Sequence, residues 1–361
     1  MAKYPEKFTG FGVLNHEEWN HPKKVEFDPK PWGDHEIDIQ IETCGVCGSD
    51  VHCAHGSWGE TYSPIIVGHE IVGKVLKVGS QVENIKVGDR VGVGAQCSSC
   101  GECDLCQNGN EQYCVSCAWT YAGNIGEWNT QGGYASHIRV LDRFAFVIPE
   151  KLESKYASPL LCGGLTVYSP LVRNGCGPGK KVAISGLGGL GHQAVMIAKA
   201  LGAHVTVISR SDSKKEDSFK MGADQYIATN EKGWAAKHAG EFNLILNCGS
   251  SLSGIDMQSM LAVLTSADGR FASISAPPIT EMCSFSPFSL MGKSISQHAL
   301  GNAKEMRDLL QLCADKDIKP WIEEIPISEQ GTHEALTRAD NGDVRYRFVL
   351  TDFEKEFKDA Y

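Results

Sequence analysis

Four cysteines crowd one short stretch as Cys100-x2-Cys103-x2-Cys106-x7-Cys114. Four thiolates on so short a loop are sufficient to close a tetrahedral zinc site with no position left for substrate, which is the chemistry of a structural metal. Cys97 continues the same spacing backwards and Cys117 follows as a spare, so spacing alone allows a register that uses Cys97. The Gly-rich, polar surroundings argue against burying these side chains as small hydrophobes, and closely placed thiols in a cytosolic loop favour metal over disulfides or redox exchange. A second set is scattered: Cys47 in CGVCGSD, His69 in GHE and Cys162 in LLCGG. Taken singly each is bland, since buried cysteine is common and a lone histidine is more often a hydrogen-bonded core residue. Together, two cysteines and one histidine form a ligand set that leaves one zinc position open for water or substrate.

The segment 182–210, VAISGLGGLGHQAVMIAKALGAHVTVISR, joins a strand to Gly186, Leu187, Gly188, Gly189, Leu190 and Gly191, then a helix, then a second strand. In that setting GxGxxG is a dinucleotide fingerprint: the glycines let the backbone approach a pyrophosphate at the positive end of the helix. A tight turn that binds nothing is the competing reading, and the strand–turn–helix context weighs against it. Where an NAD enzyme would place a carboxylate for the ribose 2′-hydroxyl, the chain reads Ser209, Arg210, Ser211, Asp212, Ser213, Lys214. Hydroxyls and cations at Ser209, Arg210, Ser211 and Lys214 suit a 2′-phosphate, which favours NADP(H). The bland alternative is a solvated helix start, with Asp212 supplying the acid one turn late.

These residues need elements to hold them. Up to about residue 155 the chain is rich in β-branched runs broken by glycine, as at 36–43, 71–80 and 89–95, which reads as twisted antiparallel strands of a barrel-like unit. From about 156 to 295 strands and helices alternate: a strand from Lys181, a helix from Gly189 to Leu201, a strand from His204, a helix around Lys214 to Met221, and strands from Phe242 and Arg270. Such alternation signals a parallel sheet covered by helices. Asn302 and Glu305 fit a capping box opening an amphipathic helix with Leu309, Leu310 and Leu312 to bury. Strand texture returns at Trp321 and Arg345, so the C-terminus is expected to complete the β unit.

With 361 residues the chain has room for two domains, and 42% apolar with 22% charged residues is a globular composition. Lys and Arg number 34 against 44 Asp and Glu, a net charge of −10 with no basic run, which argues against nucleic acid and anionic membranes as partners. The first residues, MAKYPEKFTGFGVLNHEEWNHPKK, lack the apolar core of a signal peptide. The least charged stretch, 182–209, carries His192, Lys199, His204 and several glycines that a bilayer span would not tolerate cheaply. The expectation is a cytoplasmic protein.

The whole chain resembles a zinc-dependent medium-chain alcohol dehydrogenase. Gly68-His69-Glu70-x2-Gly73-x5-Gly79-x2-Val82 matches that family's zinc signature in full. With the four-cysteine loop, the run 161–171 and the Gly186–Gly191 turn, the chain is most similar to the cinnamyl alcohol dehydrogenase branch, especially its fungal NADP-dependent members of broad aldehyde specificity. The resemblance implies an α/β protein: a Rossmann-type doubly wound parallel sheet over 156–295 plus a GroES-like, mostly antiparallel β catalytic domain over 1–155 and 296–361. It implies catalytic zinc on Cys47, His69 and Cys162, with Glu70 as a carboxylate able to enter the coordination sphere. Structural zinc falls on Cys100, Cys103, Cys106 and Cys114, which resolves the register against Cys97. NADP(H) and two zinc ions per chain are the expected cofactors, and a homodimer the expected assembly. Thr166, His298, Ala299 and Leu300 match positions that line the nicotinamide, the last three largely through backbone.

The implied reaction is hydride transfer between nicotinamide and small aldehydes or primary alcohols, aromatic and aliphatic. Many relatives carry Thr beside the metal; here Ser49 retains the hydroxyl, and His52, three residues on, adds an imidazole to carry a proton to solvent. Asp50 can orient a ligand from behind. No acidic residue follows His52 where lignin-pathway enzymes carry one in the distal pocket, so a monolignol substrate is not expected. Trp58, Trp119 and Tyr121 lie in loops able to line a pocket, or to serve as ordinary core or surface aromatics. An NAD-dependent polyol or secondary-alcohol dehydrogenase is the alternative enzyme, and Cys162 with Ser209-Arg210 speaks against it. A non-enzymatic zinc-stabilised module would not need Cys47, His69 and the glycines, all of which are present.

Overall fold

The protein is described by a computed structural model covering residues 5–276 and 281–360. Two compact units divide the chain, Met1–Cys162 with Asn302–Tyr361, and Gly163–Gly301. The boundaries fall at 162/163 and 301/302, later than the 155/156 and 295/296 read from the sequence. Thr43 Oγ1 lies 2.6 Å from Ser158 Oγ, which holds the turn beyond 155 on the first unit. Lys293–Gln297, which the earlier boundary would have cut, pairs as a strand within the second.

The first unit is built on a seven-stranded sheet around the long strand Glu36–Val46. Ile37, Ile39 and Ile41 alternate onto one face at 0–1% exposure, the period-2 pattern of a core-facing strand. Its register with Glu70–Val78 pairs Cys44 with Ile71 and Gly45 with Glu70, and its register with Arg347–Thr351 pairs Val46 with Phe348. One end of the long strand therefore carries Cys47 beside the first residues of both neighbours, Glu70 and Arg347. Gly45 is required here, because a Cβ at that position would meet Glu70 Oε2 at 2.0 Å. All pairings in the sheet are antiparallel except Ile322–Pro326 with Arg347–Thr351, which run parallel through the intervening helix Glu329–Asp340. That helix was not anticipated from sequence.

The capping box at the helix Ala303–Asp315 is formed: Glu305 N–H donates to Asn302 Oδ1 at 2.7 Å and Asn302 N–H to Glu305 Oε2 at 2.9 Å. Its buried stripe is Met306, Leu309, Leu310 and Cys313 rather than one including Leu312. The reason is helical period, since i, i+3, i+4 and i+7 share a face and Leu312 falls off it.

The second unit carries six parallel strands, ordered Gln225–Ala228, His204–Ser209, Lys181–Ser185, Leu244–Asn247, Gly269–Ser273 and Lys293–Gln297. The strand order reverses at Lys181–Ser185, and in doubly wound sheets ligands bind at the carboxyl ends of the strands around that switch point. Sequence texture found four of these strands and missed Gln225–Ala228 and Lys293–Gln297. The glycine-turn helix runs Gly191–Ala200, starting two residues later and ending one earlier than expected, and the next is a 3-10 turn Asp212–Lys214 leading into Lys215–Lys220. Among the described residues no helix is long and apolar enough to cross a membrane.

Candidate metal centres and cofactor turn

Cys47 stands at the N-cap of the short helix Gly48–Ala54, His69 immediately before the strand Glu70–Val78, and Cys162 after the 3-10 turn Ser158–Leu160. These elements bring Cys47, His69, Glu70 and Cys162 together with their ligand atoms all within 4.8 Å of one another. All four are buried. His69 Nε2 is buried without a hydrogen-bond partner, an arrangement that costs about 1–3 kcal/mol unless that nitrogen is given a partner. Two thiols, an imidazole nitrogen and a carboxylate are the donor set of a zinc site with an exchangeable position, so the residues fit such an ion.

The electrostatics point the same way. Cys47 is drawn well below the usual thiol range by its hydrogen bond with Cys162, helped by His69, against the effect of burial. Cys162 is pushed up correspondingly, first by that shared hydrogen bond and then by burial. Burial alone would lower His69, but Asp50 and the Cys47 thiolate raise it to about 9. Burial raises Glu70 to about 7 against the pull of Arg347. Once their protons are released, two thiolates and a carboxylate in a dry site call for a cation to balance them.

Asp50, fully buried, is the organiser. It accepts the Cys47 N–H at 2.8 Å, the Gly68 N–H at 3.1 Å and the Tyr134 hydroxyl at 3.2 Å, and its Oδ1 lies 3.5 Å from His69 Nδ1. A carboxylate on Nδ1 fixes the ring and leaves Nε2 to the metal position. Arg347 makes a buried ion pair with Glu70. Tyr121 stacks on His69, with ring centroids 5.2 Å apart and planes at 19°. Sequence reasoning missed Arg347 and Tyr134 and gave Tyr121 only as a loop aromatic. The available signal was one arginine inside the otherwise apolar run RFVL.

Ser49 and His52 lie one turn apart on Gly48–Ala54, the first half-buried with Oγ 3.6 Å from Cys47 Sγ, the second exposed. His52 stacks on Trp58 at 4.9 Å and 24°, while Trp119 is 39% exposed.

The second cluster gathers Cys100, Cys103, Cys106 and Cys114. Sγ separations are 3.5 Å for Cys100–Cys114 and 3.8 Å for both Cys100–Cys106 and Cys103–Cys114. The Cys103 N–H points at Cys100 Sγ and the Ser116 N–H at Cys114 Sγ, both at 3.4 Å. Backbone N–H groups from Glu102 and Cys103 bring the Cys100 thiol down to about 6, a preference for the thiolate that metal ligation requires. Cys97 is excluded: its S–H faces the Ala118 and Trp119 carbonyls, and burial pushes it up to about 12. Ala303 N–H donating to Glu111 and Asn302 Nδ2 donating to Gly109 O, each at 2.7 Å, moor this loop to the capped helix.

In the second unit, the chain leaves Lys181–Ser185 through Gly186 at φ +89°, a left-handed turn. A Cβ on Gly191 would strike Gly186 O at 1.9 Å, whereas one on Gly188 would meet nothing within 4 Å. The turn is thus closed against its own helix and open at its middle glycine. Lys214 Nζ donates to Leu187 O at 2.8 Å, bringing the two halves of the expected cofactor site together. Arg210 is exposed and Ser209 and Ser211 half-buried, and Asp212 faces Lys215 at 3.4 Å. Thr166 is half-buried on the helix Gly163–Arg173. His298 follows the strand Lys293–Gln297, with Nε2 2.9 Å from Ser296 Oγ and 3.4 Å from Asn174 Nδ2. Ala299 is exposed, and Leu300 has φ +52°.

Residues 33–150 match the alcohol dehydrogenase GroES-like domain and residues 189–315 the zinc-binding dehydrogenase domain. The chain is 55% identical over 359 residues to NADP-dependent alcohol dehydrogenase 6 of Saccharomyces cerevisiae, covering 99% of each. It is 37% identical to vomilenine reductase of Rauvolfia serpentina, over 97% of this chain and 96% of that one. Among solved structures, a cinnamyl alcohol dehydrogenase from Sorghum bicolor aligns with TM-score 0.88 at 31% identity, covering 96% of this chain and 97% of the other. A cinnamyl alcohol dehydrogenase from Helicobacter pylori, complexed with NADP(H), aligns with TM-score 0.87 at 29% identity over 98% and 100%.

Proposed function

The chain belongs to the zinc-binding alcohol dehydrogenase family, and we propose that it interconverts small aldehydes and primary alcohols, aromatic and aliphatic, with NADP(H). The observation that carries this reading is the buried Cys47, His69, Cys162 set with His69 Nε2 left open, in a chain that also carries the glycine turn. Met1–Cys162 with Asn302–Tyr361 is read as the catalytic unit and Gly163–Gly301 as the dinucleotide-binding unit.

Cys47, His69 and Cys162 would hold a catalytic zinc, with Glu70 beside it, and Cys100, Cys103, Cys106 and Cys114 a structural one. When bound, the catalytic ion supplies Lewis acidity toward a carbonyl or hydroxyl oxygen, and NADP(H) supplies or accepts the hydride. The protein's part is to orient and to move protons. Asp50 holds His69 by Nδ1 and Cys47 by its N–H, so both donors face one point. Arg347 balances the Glu70 carboxylate. Ser49, half-buried at the start of its helix, and His52, exposed one turn later, offer a hydroxyl and an imidazole that pass a proton to or from solvent. The Gly186–Gly191 turn with the N-terminus of Gly191–Ala200 receives the pyrophosphate. Ser209, Arg210, Ser211 and Lys214 receive the 2′-phosphate. Thr166, His298, Ala299 and Leu300 line the nicotinamide on family resemblance.

The deciding experiment is a panel of aromatic and aliphatic aldehydes assayed with NADPH and NADH, alongside elemental analysis of protein purified without chelator. Reduction with NADPH and two zinc ions per chain are expected; NADH preference, or one zinc or none, would refute the corresponding part. A cytoplasmic homodimer completes the reading. Fourteen cysteines, six of them read as zinc ligands, suit a reducing compartment, and sedimentation of the purified enzyme tests the dimer.

A further inference from the structure

We propose that the hydroxyl of Tyr226 is a positioning group for cofactor discrimination: it fixes the loop that receives the 2′-phosphate and so sets the preference for NADP(H) over NAD(H). The inference rests on the reading of Ser209, Arg210, Ser211 and Lys214 as the phosphate-binding groups.

Tyr226 sits on the strand Gln225–Ala228, which pairs in parallel with His204–Ser209 up to Ser209 opposite Ala228. Past that point the loop leaves the sheet, yet three successive carbonyls stay tethered. Ser209 O accepts from the Thr229 N–H at 2.8 Å and Arg210 O from the Asn230 N–H at 3.2 Å. Ser211 O accepts from the Tyr226 hydroxyl at 2.5 Å. The first two come from backbone N–H groups just past the end of the strand; the third is supplied by a side chain.

The electrostatic consequence concerns the Ser211 peptide. A carbonyl directed at a phosphate opposes its charge, whereas hydroxyls and cations stabilise it through charge-assisted hydrogen bonds. Tyr226 commits the Ser211 oxygen to the phenol. Ser211 is also the N-cap of the 3-10 turn Asp212–Lys214, held at φ −147° and ψ 171°. That turn carries Lys214, whose Nζ reaches Leu187 O of the glycine turn at 2.8 Å. One hydroxyl thus anchors the peptide between Arg210 and Lys214, the two cations of the subsite. Binding groups held in place lose less freedom on binding, which is how a residue that touches no ligand alters affinity. NAD(H), with no phosphate there, gains nothing from this anchoring.

The test uses the full-length zinc-loaded protein and four probes: NADPH, NADH, adenosine 2′,5′-bisphosphate and 5′-AMP, with dissociation constants from calorimetry. Tyr226→Phe, which deletes only the hydroxyl, should weaken NADPH and the bisphosphate by roughly 3- to 10-fold, the effect of one uncharged hydrogen bond. NADH and 5′-AMP should be unchanged, and the melting temperature close to wild type. Equal weakening of phosphorylated and unphosphorylated probes, or none, overturns the proposal. Arg210→Ala is the control: if it weakens the 2′-phosphorylated probes selectively while Tyr226→Phe does not, only the role of Tyr226 fails. If Arg210→Ala is unselective, the subsite reading itself fails and takes the inference with it.

Discussion

Arg347 and Glu70, 277 residues apart in the chain, meet as a buried ion pair at the ends of the two strands that flank Glu36–Val46. The pair stands beside Cys47, so it is both a piece of the sheet and part of the charge balance of the metal set. Burial alone would neutralise Glu70, and the guanidinium opposes that.

Removing the arginine should therefore be costly. Arg347→Met in metal-free protein is expected to lose about 3–5 kcal/mol of unfolding free energy, the usual result of stranding one buried charge. With metal bound the loss should be smaller, because a second cation then faces Glu70. Urea unfolding of both forms measures this; a loss below roughly 1 kcal/mol in both would mean the pair contributes no more than an exposed one.

A pH dependence follows from His69. Because its imidazole is raised to about 9 in the metal-free protein, the ring carries a proton below that pH, and a metal entering at Nε2 must displace it. Affinity at this site should fall as pH drops from 9 to 6, by about tenfold per pH unit for each proton released. Cys162, pushed up by Cys47 and burial, adds to the slope, whereas Cys47, already favoured as thiolate, does not. Cobalt binding followed by its thiolate absorption tests this, and a pH-independent affinity would remove His69 from the ligand set.

What was legible in the sequence was local. The four-cysteine loop, the Asn302–Glu305 cap and the glycine turn are each one continuous stretch of chain, although in the loop spacing left Cys97 open as a ligand until the resemblance closed that choice. What was not legible came from pairing across the chain or from weak patterns. Nothing local links Arg347 to Glu70. The strand Lys293–Gln297, KSISQ, is an edge strand of half-exposed and exposed residues, so it lacks the apolar run that marks central parallel strands. Gln225–Ala228 is only four residues long, too short for periodicity to register. Cys47, His69 and Cys162 could be grouped from family resemblance and Asp50 read as orienting one ligand, but that Asp50 holds both Cys47 and His69 required the fold.

Arg210, exposed after the strand His204–Ser209, should supply a charge-assisted contact to the 2′-phosphate. Arg210→Ala is expected to weaken NADPH by about 1.5–3 kcal/mol, the range for hydrogen bonds to charged groups, and to leave NADH nearly unchanged. Fluorescence titration with both cofactors decides it, and equal losses would show that Arg210 does not read the phosphate.

The proton path can be tested on the helix Gly48–Ala54. Ser49 is half-buried with its hydroxyl near Cys47, and His52 is exposed and stacked on Trp58; a proton leaving the buried site would meet the hydroxyl first and the imidazole second. Ser49→Ala should lower kcat by about 10²-fold or more, as for loss of a positioned proton-transfer group, while zinc content and NADPH affinity stay near wild type. Ser49→Thr, which keeps the hydroxyl, should restore most of the rate. His52→Ala should be milder, because water can reach an exposed position and replace the ring. Profiles of kcat against pH for the three variants separate the roles: wild-type kcat in Ser49→Ala would mean that the proton leaves by another route.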